Sequence, residues 1–194
     1  MGGGIAWLFS NKDINVRLKD IEWEAVAKGY QTANNYYLQL KNIRKINSNA
    51  IRYKMNHIAG CVNYQGFKQI DFVIEAVVEN IKVKQTVLQE VEAQLTEQAI
   101  LASNTSSLSI TEMAIGLKRP ENMIGMHFFN PVNRMPLVEI IPSIHTSQET
   151  IATTVALTKK LGKTPIVVAD CAGFLVNRIL ISMLNEADFN LTGR

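Results

Sequence analysis

The sequence predicts an α/β fold with a doubly wound, mostly parallel sheet. Short apolar segments alternate with longer segments whose apolar residues recur at helical spacing. The segment DFVIEAVV, residues 71–78, is apolar on both faces, as buried parallel strands are. Strands separated by helices of this length are typical of βαβ units, which place neighbouring strands parallel to each other.

The predicted elements follow this alternation along the whole chain. A short helix, IAWLFSN, opens the chain, and another short helix follows the polar turn after residue 103. The turn NPVNRMP joins two strands directly, so an antiparallel pair is expected at an edge of the sheet. Strands are predicted at residues 14–20, 71–78, 99–103, 122–129, 137–141 and 164–170, and longer helices at 22–47, 80–95, 147–163 and 173–191.

Composition and charge argue against several classes of protein. The net charge is only +3, and no run of Lys and Arg is long enough to follow a nucleic-acid backbone. No stretch reaches the roughly 18 consecutive apolar residues of a membrane helix, and the start of the chain lacks the pattern of a signal peptide. Cys61 and Cys171 have no metal-site spacing, so no metal is expected and both are predicted to be reduced thiols.

Three glycines begin the chain, and an acidic residue ends the first predicted strand. Asp20 lies 18 positions after Gly2, close to the roughly 20-residue offset of the ribose-binding acid in a Rossmann dinucleotide site. In such a site the glycines open the helix that receives the pyrophosphate. A carboxylate accepts from both ribose hydroxyls and repels a 2′-phosphate, which favours NAD over NADP. Taken alone, the glycines are equally compatible with a linker or the remnant of a tag.

Four polar residues are candidates for catalysis. His127 and Glu139 lie in two strands joined by one turn. A carboxylate bound to an imidazole fixes its tautomer and stabilises its cation, so the imidazole can take a proton from an alcohol. Ser106 belongs to SNTSSL, the segment after a strand whose hydroxyls and Asn104 could hold a substrate oxygen at the carboxyl ends of the strands. Asn177, one turn into the last helix, is ambiguous when taken singly. The alternatives are a hydrogen-bonded core histidine, a solvent-facing glutamate and ordinary loop and cap residues.

Several of these segments together resemble one enzyme family. SNTSSLSI, GMHFFNPVNRMPLVEII and DCAGFLVNRIL are similar to the NAD-binding domain of L-3-hydroxyacyl-CoA dehydrogenases. MGGGIA is similar to the second half of that family's pattern GxGxMGxGIA, which makes Gly2 the third glycine of the fingerprint. EAVVENIKVK and RPENMIGMHFFNPVNRMPLVEII resemble especially the dehydrogenase segment of bacterial fatty-acid oxidation alpha subunits. The resemblance covers nearly the whole chain.

The resemblance implies a role for each candidate residue. His127 matches the family's catalytic base, and Glu139 matches the acid that orients it. Ser106 matches a serine that contacts both the substrate oxygen and the nicotinamide, and Asn177 an asparagine near the reacting carbonyl. The implied cofactor is NAD. The positions implied to bind it are Gly2, Asp20, Ala76, Glu79, Lys84, Ser106 and Asn130.

The reaction implied by the resemblance is the reversible, NAD-dependent oxidation of an L-3-hydroxyacyl-CoA to a 3-ketoacyl-CoA in cytoplasmic fatty-acid β-oxidation. The implied partners are the acyl-CoA substrate and, in a full-length parent, a second identical subunit or a thiolase. One alternative is a related 3-hydroxybutyryl-CoA dehydrogenase. The other is an NAD-binding or structural module without activity.

The chain departs from the family pattern at its beginning and its end. The family's first strand and first two glycines have no counterpart before Met1, and Ala172 stands where relatives often have Pro. We expect residues 1–170 to form an N-terminally truncated NAD-binding domain. Residues 171–194 are expected to begin a helical domain for substrate binding and dimerisation.

Overall fold

The structure, a computed structural model, describes residues 1–192, with side chains described through residue 188. Residues 193 and 194, which end the range expected for the second domain, lie outside the described residues. The helices are α1 (Gly2–Ser10), α2 (Trp23–Asn42), α3 (Ser48–Met55), α4 (Ile81–Glu92), α5 (Ile110–Ala114), α6 (Gln148–Lys160) and α7 (Val176–Thr192). The strands are β1 (Val16–Lys19), β2 (Ile58–Cys61), β3 (Phe72–Glu75), β4 (Ile100–Ser103), β5 (Met123–Phe128), β6 (Leu137–Pro142) and β7 (Thr164–Val167).

The strands form two sheets, one of order β1-β2 and one of order β3-β4-β5-β6-β7. Every neighbouring pair is parallel except β5 and β6, which confirms the predicted α/β class with a mostly parallel sheet. The expected position of the antiparallel pair at an edge is wrong. Because β7 returns alongside β6 with Leu137 opposite Thr164, β6 is internal and β7 forms the edge.

One α-helix and one strand of the described residues were not predicted, and both lie between residues 42 and 62. Helix α2 ends at Asn42 instead of continuing to residue 47, and α3 begins after Asn47, whose side chain accepts a hydrogen bond from the Ala50 amide at 2.9 Å. Strand β2 was missed because its four residues, IAGC, include two small ones and carry no clear alternation. The observed helix is therefore shorter than the predicted one, and Asn47 caps a separate helix that lies beyond the predicted range.

Helices cover both faces of the larger sheet, as a doubly wound fold requires. On β4, Ile100 and Ala102 belong to one apolar cluster, which also contains residues of α1, α2 and α6. The intervening Leu101 belongs to a second cluster with residues of α4 and α5. Alternate residues of one strand thus fill two cores, which explains why the predicted strands were apolar on both faces.

Strands β1 and β3 each have one unpaired edge within residues 1–192. The hydrogen bonds of β1 to β2 and of β3 to β4 use alternate residues of each strand. The backbone groups of Arg17 and Lys19 therefore face away from β2, and those of Phe72 and Ile74 face away from β4. Residues of both sheets nevertheless share one apolar cluster.

The start of α1 gives a direct test of helix packing. A Cβ at Gly3 would lie 2.5 Å from the Gly29 carbonyl oxygen, whereas a Cβ at Gly2 would have no heavy atom within 4 Å. We expect Gly3→Ala to lower the free energy of unfolding by about 1–3 kcal/mol, because α1 and α2 must separate. Gly2→Ala should leave stability unchanged or raise it slightly, since alanine favours helix. Urea unfolding followed by circular dichroism measures both, and equal stabilities of the two variants would contradict the packing.

Candidate active site

An open cleft of about 430 Å³ lies at the carboxyl ends of β3, β4 and β5. This is the edge at which open α/β sheets bind ligands. Met1, at the start of α1, and Asn177, in α7, close two of its sides. The cleft brings together six predicted residues, Ala76, Glu79, Ser106, His127, Asn130 and Asn177, together with Val77, Asn104, Phe128 and Phe129.

His127 and Glu139 face each other directly across β5 and β6. The Nδ1 atom of His127 lies 2.7 Å from Oε2 of Glu139, and the glutamate side chain is 0% exposed. The other oxygen, Oε1, accepts the amides of Leu175 at 3.0 Å and Val176 at 2.9 Å. In the tautomer that fits this contact, Nδ1–H donates to Oε2 of Glu139. Nε2 is then the nitrogen available to take a proton.

Two aromatic rings flank the imidazole. The ring centre of Phe129 lies 4.5 Å and that of Phe174 5.9 Å from the centre of the His127 ring. Phe174 is buried. These apolar walls limit the rotation of the imidazole and reduce the water around the His127–Glu139 pair, which strengthens their electrostatic interaction.

The loop after β4 is held by the carboxylate of Glu79. Oε1 accepts Thr105 Oγ1 at 2.5 Å, the Ser106 amide at 2.9 Å and Ser106 Oγ at 3.3 Å. Partial burial alone would raise the pKa of Glu79, but the hydrogen bonds from Thr105 and Ser106 and the charge of Lys84 outweigh it and place that pKa below its ordinary value. The carboxylate stays ionised and fixes Ser106 at the cleft.

Lys84 lies beneath the cleft rather than in its lining. Its side chain is 1% exposed, and Nζ lies 2.9 Å from Oε1 of Glu75 and 3.3 Å from Oε2 of Glu79. The Oε2 atom of Glu75 also accepts the Ser103 hydroxyl at 2.6 Å. Lys84 therefore acts on the cleft through Glu79. Sequence analysis missed Glu75, although a glutamate inside an apolar strand with a lysine in the next helix was a usable indication of a buried pair.

Asp20 and Gly2 lie outside the lining of this cleft. Asp20 follows the carboxyl end of β1, is exposed, and accepts the Ile21 amide on Oδ1 at 2.8 Å, which leaves Oδ2 for a ligand hydroxyl. Gly2 is the first residue of α1, and the space beside its Cα is open. An exposed acid after a strand, an unobstructed helix start and a polar cleft at strand carboxyl ends are the kinds of group that bind the ribose, pyrophosphate and nicotinamide of a dinucleotide.

Two asparagine side chains connect the elements around the cleft. The Oδ1 atom of Asn104 accepts the Phe128 amide at 2.9 Å, which ties the loop after β4 to β5. The Nδ2 atom of Asn177 donates to the Ser106 carbonyl oxygen at 3.1 Å, which ties the same loop to α7. The four candidate catalytic residues therefore belong to one connected set of contacts.

Among residues 1–192, no group of three or more His, Cys, Asp or Glu side chains is arranged to hold a metal ion. No helix in this described part of the chain has the length and apolarity needed to cross a membrane. Cys61 and Cys171 are both free thiols.

The sequence and structure were compared with known proteins. Residues 1–171 match the family described as 3-hydroxyacyl-CoA dehydrogenase, NAD binding domain. A fatty acid oxidation complex subunit alpha from Acinetobacter baylyi is 48% identical over 191 residues, which are 98% of this chain and 27% of that protein. The chain thus spans about a quarter of the length of such relatives.

Solved structures agree with this match. The (S)-3-hydroxybutyryl-CoA dehydrogenase of Ralstonia eutropha superposes with a TM-score of 0.93 at 43% identity, over 96% of this chain and 66% of that one. The 3-hydroxybutyryl-CoA dehydrogenase of Escherichia coli superposes with a TM-score of 0.92 at 30% identity, over 96% of this chain and 40% of that one.

Proposed function

Because the chain belongs to the NAD-binding domain family of the 3-hydroxyacyl-CoA dehydrogenases, we propose that it forms the cofactor-binding and proton-transfer part of such an enzyme. The reaction is the reversible oxidation of an L-3-hydroxyacyl-CoA to a 3-ketoacyl-CoA in fatty-acid oxidation. The observation that carries this proposal is the buried His127–Glu139 pair, with its 2.7 Å contact, at the carboxyl edge of the sheet.

The proton of the substrate hydroxyl passes to Nε2 of His127. Glu139 stabilises the resulting imidazolium through Nδ1, and the amides of Leu175 and Val176 keep this carboxylate in place. Ser106 and Asn177, linked through the Ser106 carbonyl, orient the C3 oxygen of the substrate. When bound, NAD supplies the hydride acceptor.

The proposal assigns each cofactor residue to one part of NAD or to the loops around it. Asp20 binds the adenosine ribose, and Gly2 gives the pyrophosphate access to the start of α1. Ala76, Ser106 and Asn130 line the nicotinamide end. Glu79 and Lys84 fix the loops after β3 and β4, Lys84 from beneath the cleft.

The division into domains is part of the same proposal. Residues 1–170 form the NAD-binding unit, and residues 171–194 begin the helical unit. Exposed apolar side chains along α7 support this division, since they suit a helix that packs against further structure: Ile179, Leu180, Ile181, Met183 and Leu184. The name of the relatives, a subunit of a fatty acid oxidation complex, supports assembly with partners. A second identical subunit, a thiolase partner and a cytoplasmic location are proposed from the sequence resemblance.

A second candidate function is that of a 3-hydroxybutyryl-CoA dehydrogenase. The similarity to two structures of that title favours it. A series of 3-ketoacyl-CoA substrates of increasing acyl length separates the two candidates. A preference for the four-carbon substrate supports the hydroxybutyryl enzyme, and equal or faster turnover of long chains supports the general one.

A cofactor titration and an activity assay test the proposal together. Calorimetric titration of the chain with NAD should give saturable binding of one equivalent, and acetoacetyl-CoA should oxidise NADH in its presence. Binding without turnover would identify a module that binds the cofactor but is not catalytic. The unpaired edges of β1 and β3 beside the site motivate that alternative. Absence of both binding and turnover would reject the proposed function for this chain.

Asp20→Asn should weaken NAD binding about tenfold. The variant loses a charged acceptor of the ribose hydroxyls. Hydrogen bonds to charged groups contribute about 1.5–3 kcal/mol, and the lower end of that range applies at an exposed site. NADP should be affected less, because the repulsion of its 2′-phosphate is removed as well. Asp71→Asn, at an exposed residue before the amino end of β3, is the matched control and should leave both affinities unchanged. A similar loss in both variants would argue against a ribose site at Asp20.

A further inference from the structure

The segment of residues 170–177, which joins β7 to α7, contacts three parts of the candidate active site. At its beginning Asp170 binds the start of α5, in its middle the amides of Leu175 and Val176 bind Glu139, and at its end Asn177 binds Ser106. Asp170 takes no part in the proposed chemistry.

The carboxylate of Asp170 makes three hydrogen bonds with the start of α5. Oδ2 accepts Ser109 Oγ at 2.9 Å and the Thr111 amide at 2.8 Å, and Oδ1 accepts the Ile110 amide at 3.1 Å. Partial burial would raise the pKa of Asp170, but these bonds outweigh it and place the pKa below its ordinary value. The charged form is therefore the one that holds α5.

The four residues after Asp170 form a tight turn, which rigidly links the hydrogen bonds of Asp170 to the amides that bind Glu139. The Phe174 amide donates to the Cys171 carbonyl oxygen at 2.9 Å, closing a tight turn. Gly173 and Phe174 both have left-handed backbone, with φ of 73° and 49°. A phenylalanine in this conformation is strained, and its buried ring holds it there. The direction of the Leu175 and Val176 amides is thus set by attachments on both sides of the turn.

We infer that Asp170 is a positioning residue for proton transfer: by fixing the 170–177 segment on α5, it keeps the Leu175 and Val176 amides on Glu139. The same attachment fixes the spacing between Glu139 and Ser106. Asp170 binds the segment after β4 at Ser109, and Asn177 binds the same segment at Ser106. The catalytic part of this inference rests on the proposed function. The arrangement of the hydrogen bonds can be measured without cofactor or substrate.

Asp170→Asn in the ¹⁵N-labelled chain tests this role by NMR. The amide group of asparagine keeps the shape of the side chain but places an NH₂ against a backbone donor whichever way it is turned, so the anchor loses at least one bond and its charge. The amide protons of Leu175 and Val176 should then shift upfield as their bonds to Glu139 weaken. The hydrogen-bonded imidazole N–H resonance of His127 should broaden or disappear. In turnover assays the same variant should lower kcat more than it raises the KM for NADH.

Glu92→Gln is the matched control. Glu92 is a buried carboxylate that, like the partly buried Asp170, accepts two backbone amides, those of Lys118 and Arg119, both at 2.9 Å, away from the cleft. Both variants should lower the urea midpoint, but only Asp170→Asn should change the NMR signals of Leu175, Val176 and His127. Unchanged signals in Asp170→Asn, or the same changes in Glu92→Gln, would overturn the inference.

Ser109→Ala covers the case in which Asp170→Asn does not fold. It removes one of the three bonds, together with the capping bond from the Glu112 amide to Ser109 Oγ. It should give smaller shifts in the same direction, and their absence would also overturn the inference. Loss of NAD binding or turnover with these NMR responses intact would instead count against the proposed function.

Discussion

His127→Gln is expected to lower the rate of NADH oxidation by acetoacetyl-CoA about 10²–10⁴-fold, the usual contribution of a positioned acid or base. Glutamine fills a similar space but takes no proton at neutral pH. Because Glu139 is held independently by the Leu175 and Val176 amides, the surrounding strands should keep their arrangement. NAD affinity, measured by calorimetry, should therefore remain close to that of the unaltered chain.

The control for this prediction is the same substitution at a second histidine. His145 lies exposed in the loop between β6 and α6, and His145→Gln should leave turnover unchanged. Turnover that persists in His127→Gln at the unaltered rate would show that another group accepts the proton. Loss of NAD binding in that variant would point instead to a structural effect of the substitution.

Lys84→Met is expected to lower the free energy of unfolding by about 3 kcal/mol, the lower end of the cost of removing one partner from a buried ion pair. Glu75 would keep its hydrogen bonds from Ser103 and the Val77 amide. It would lose Lys84, the only cation with which it forms an ion pair among the described residues. Glu79 would lose its ion pair with Lys84 and would fix the loop after β4 less firmly, so NAD binding should weaken as well. Urea unfolding and the NAD titration measure the two effects.

Lys28→Met is the matched control, because Lys28 forms an ion pair of the same 2.9 Å length with Glu24 on the exposed face of α2. Exposed pairs contribute little, so this variant should retain nearly all stability. Adding Glu75→Gln to Lys84→Met removes the unpaired charge and should recover part of the loss. Equal destabilisation by the two lysine variants would contradict a special role for burial.

The sequence allowed the fold class and most elements to be predicted because parallel strands buried on both faces are apolar throughout, and β3 and β4 are of this kind. It also predicted a paired His127 and Glu139, because one turn joins their strands and places the two residues opposite each other. Strand β2 was missed because four residues with small side chains carry too little pattern. In these cases the prediction depended on local periodicity and short connections.

The supports of the site could not be predicted in the same way. Asp170 binds α5 across some 60 positions of sequence, and Glu79 holds Ser106 across 27. Such contacts depend on the fold, which brings the ends of strands that are far apart in the sequence to the same edge of the sheet. The burial of Lys84 was missed for a related reason, since a lysine in an amphipathic helix is normally solvated, and here the carboxylates of Glu75 and Glu79 make its burial tolerable.

The open edges of β1 and β3 have a consequence for handling the protein. An unpaired strand edge is a template on which another chain can add a strand, and charged residues discourage such pairing. Arg17 and Lys19 give β1 this protection, whereas Phe72, Val73 and Ile74 leave β3 without it. Of these two edges, that of β3 is therefore more open to pairing with another chain at high protein concentration, and a lysine introduced on that strand should discourage such pairing.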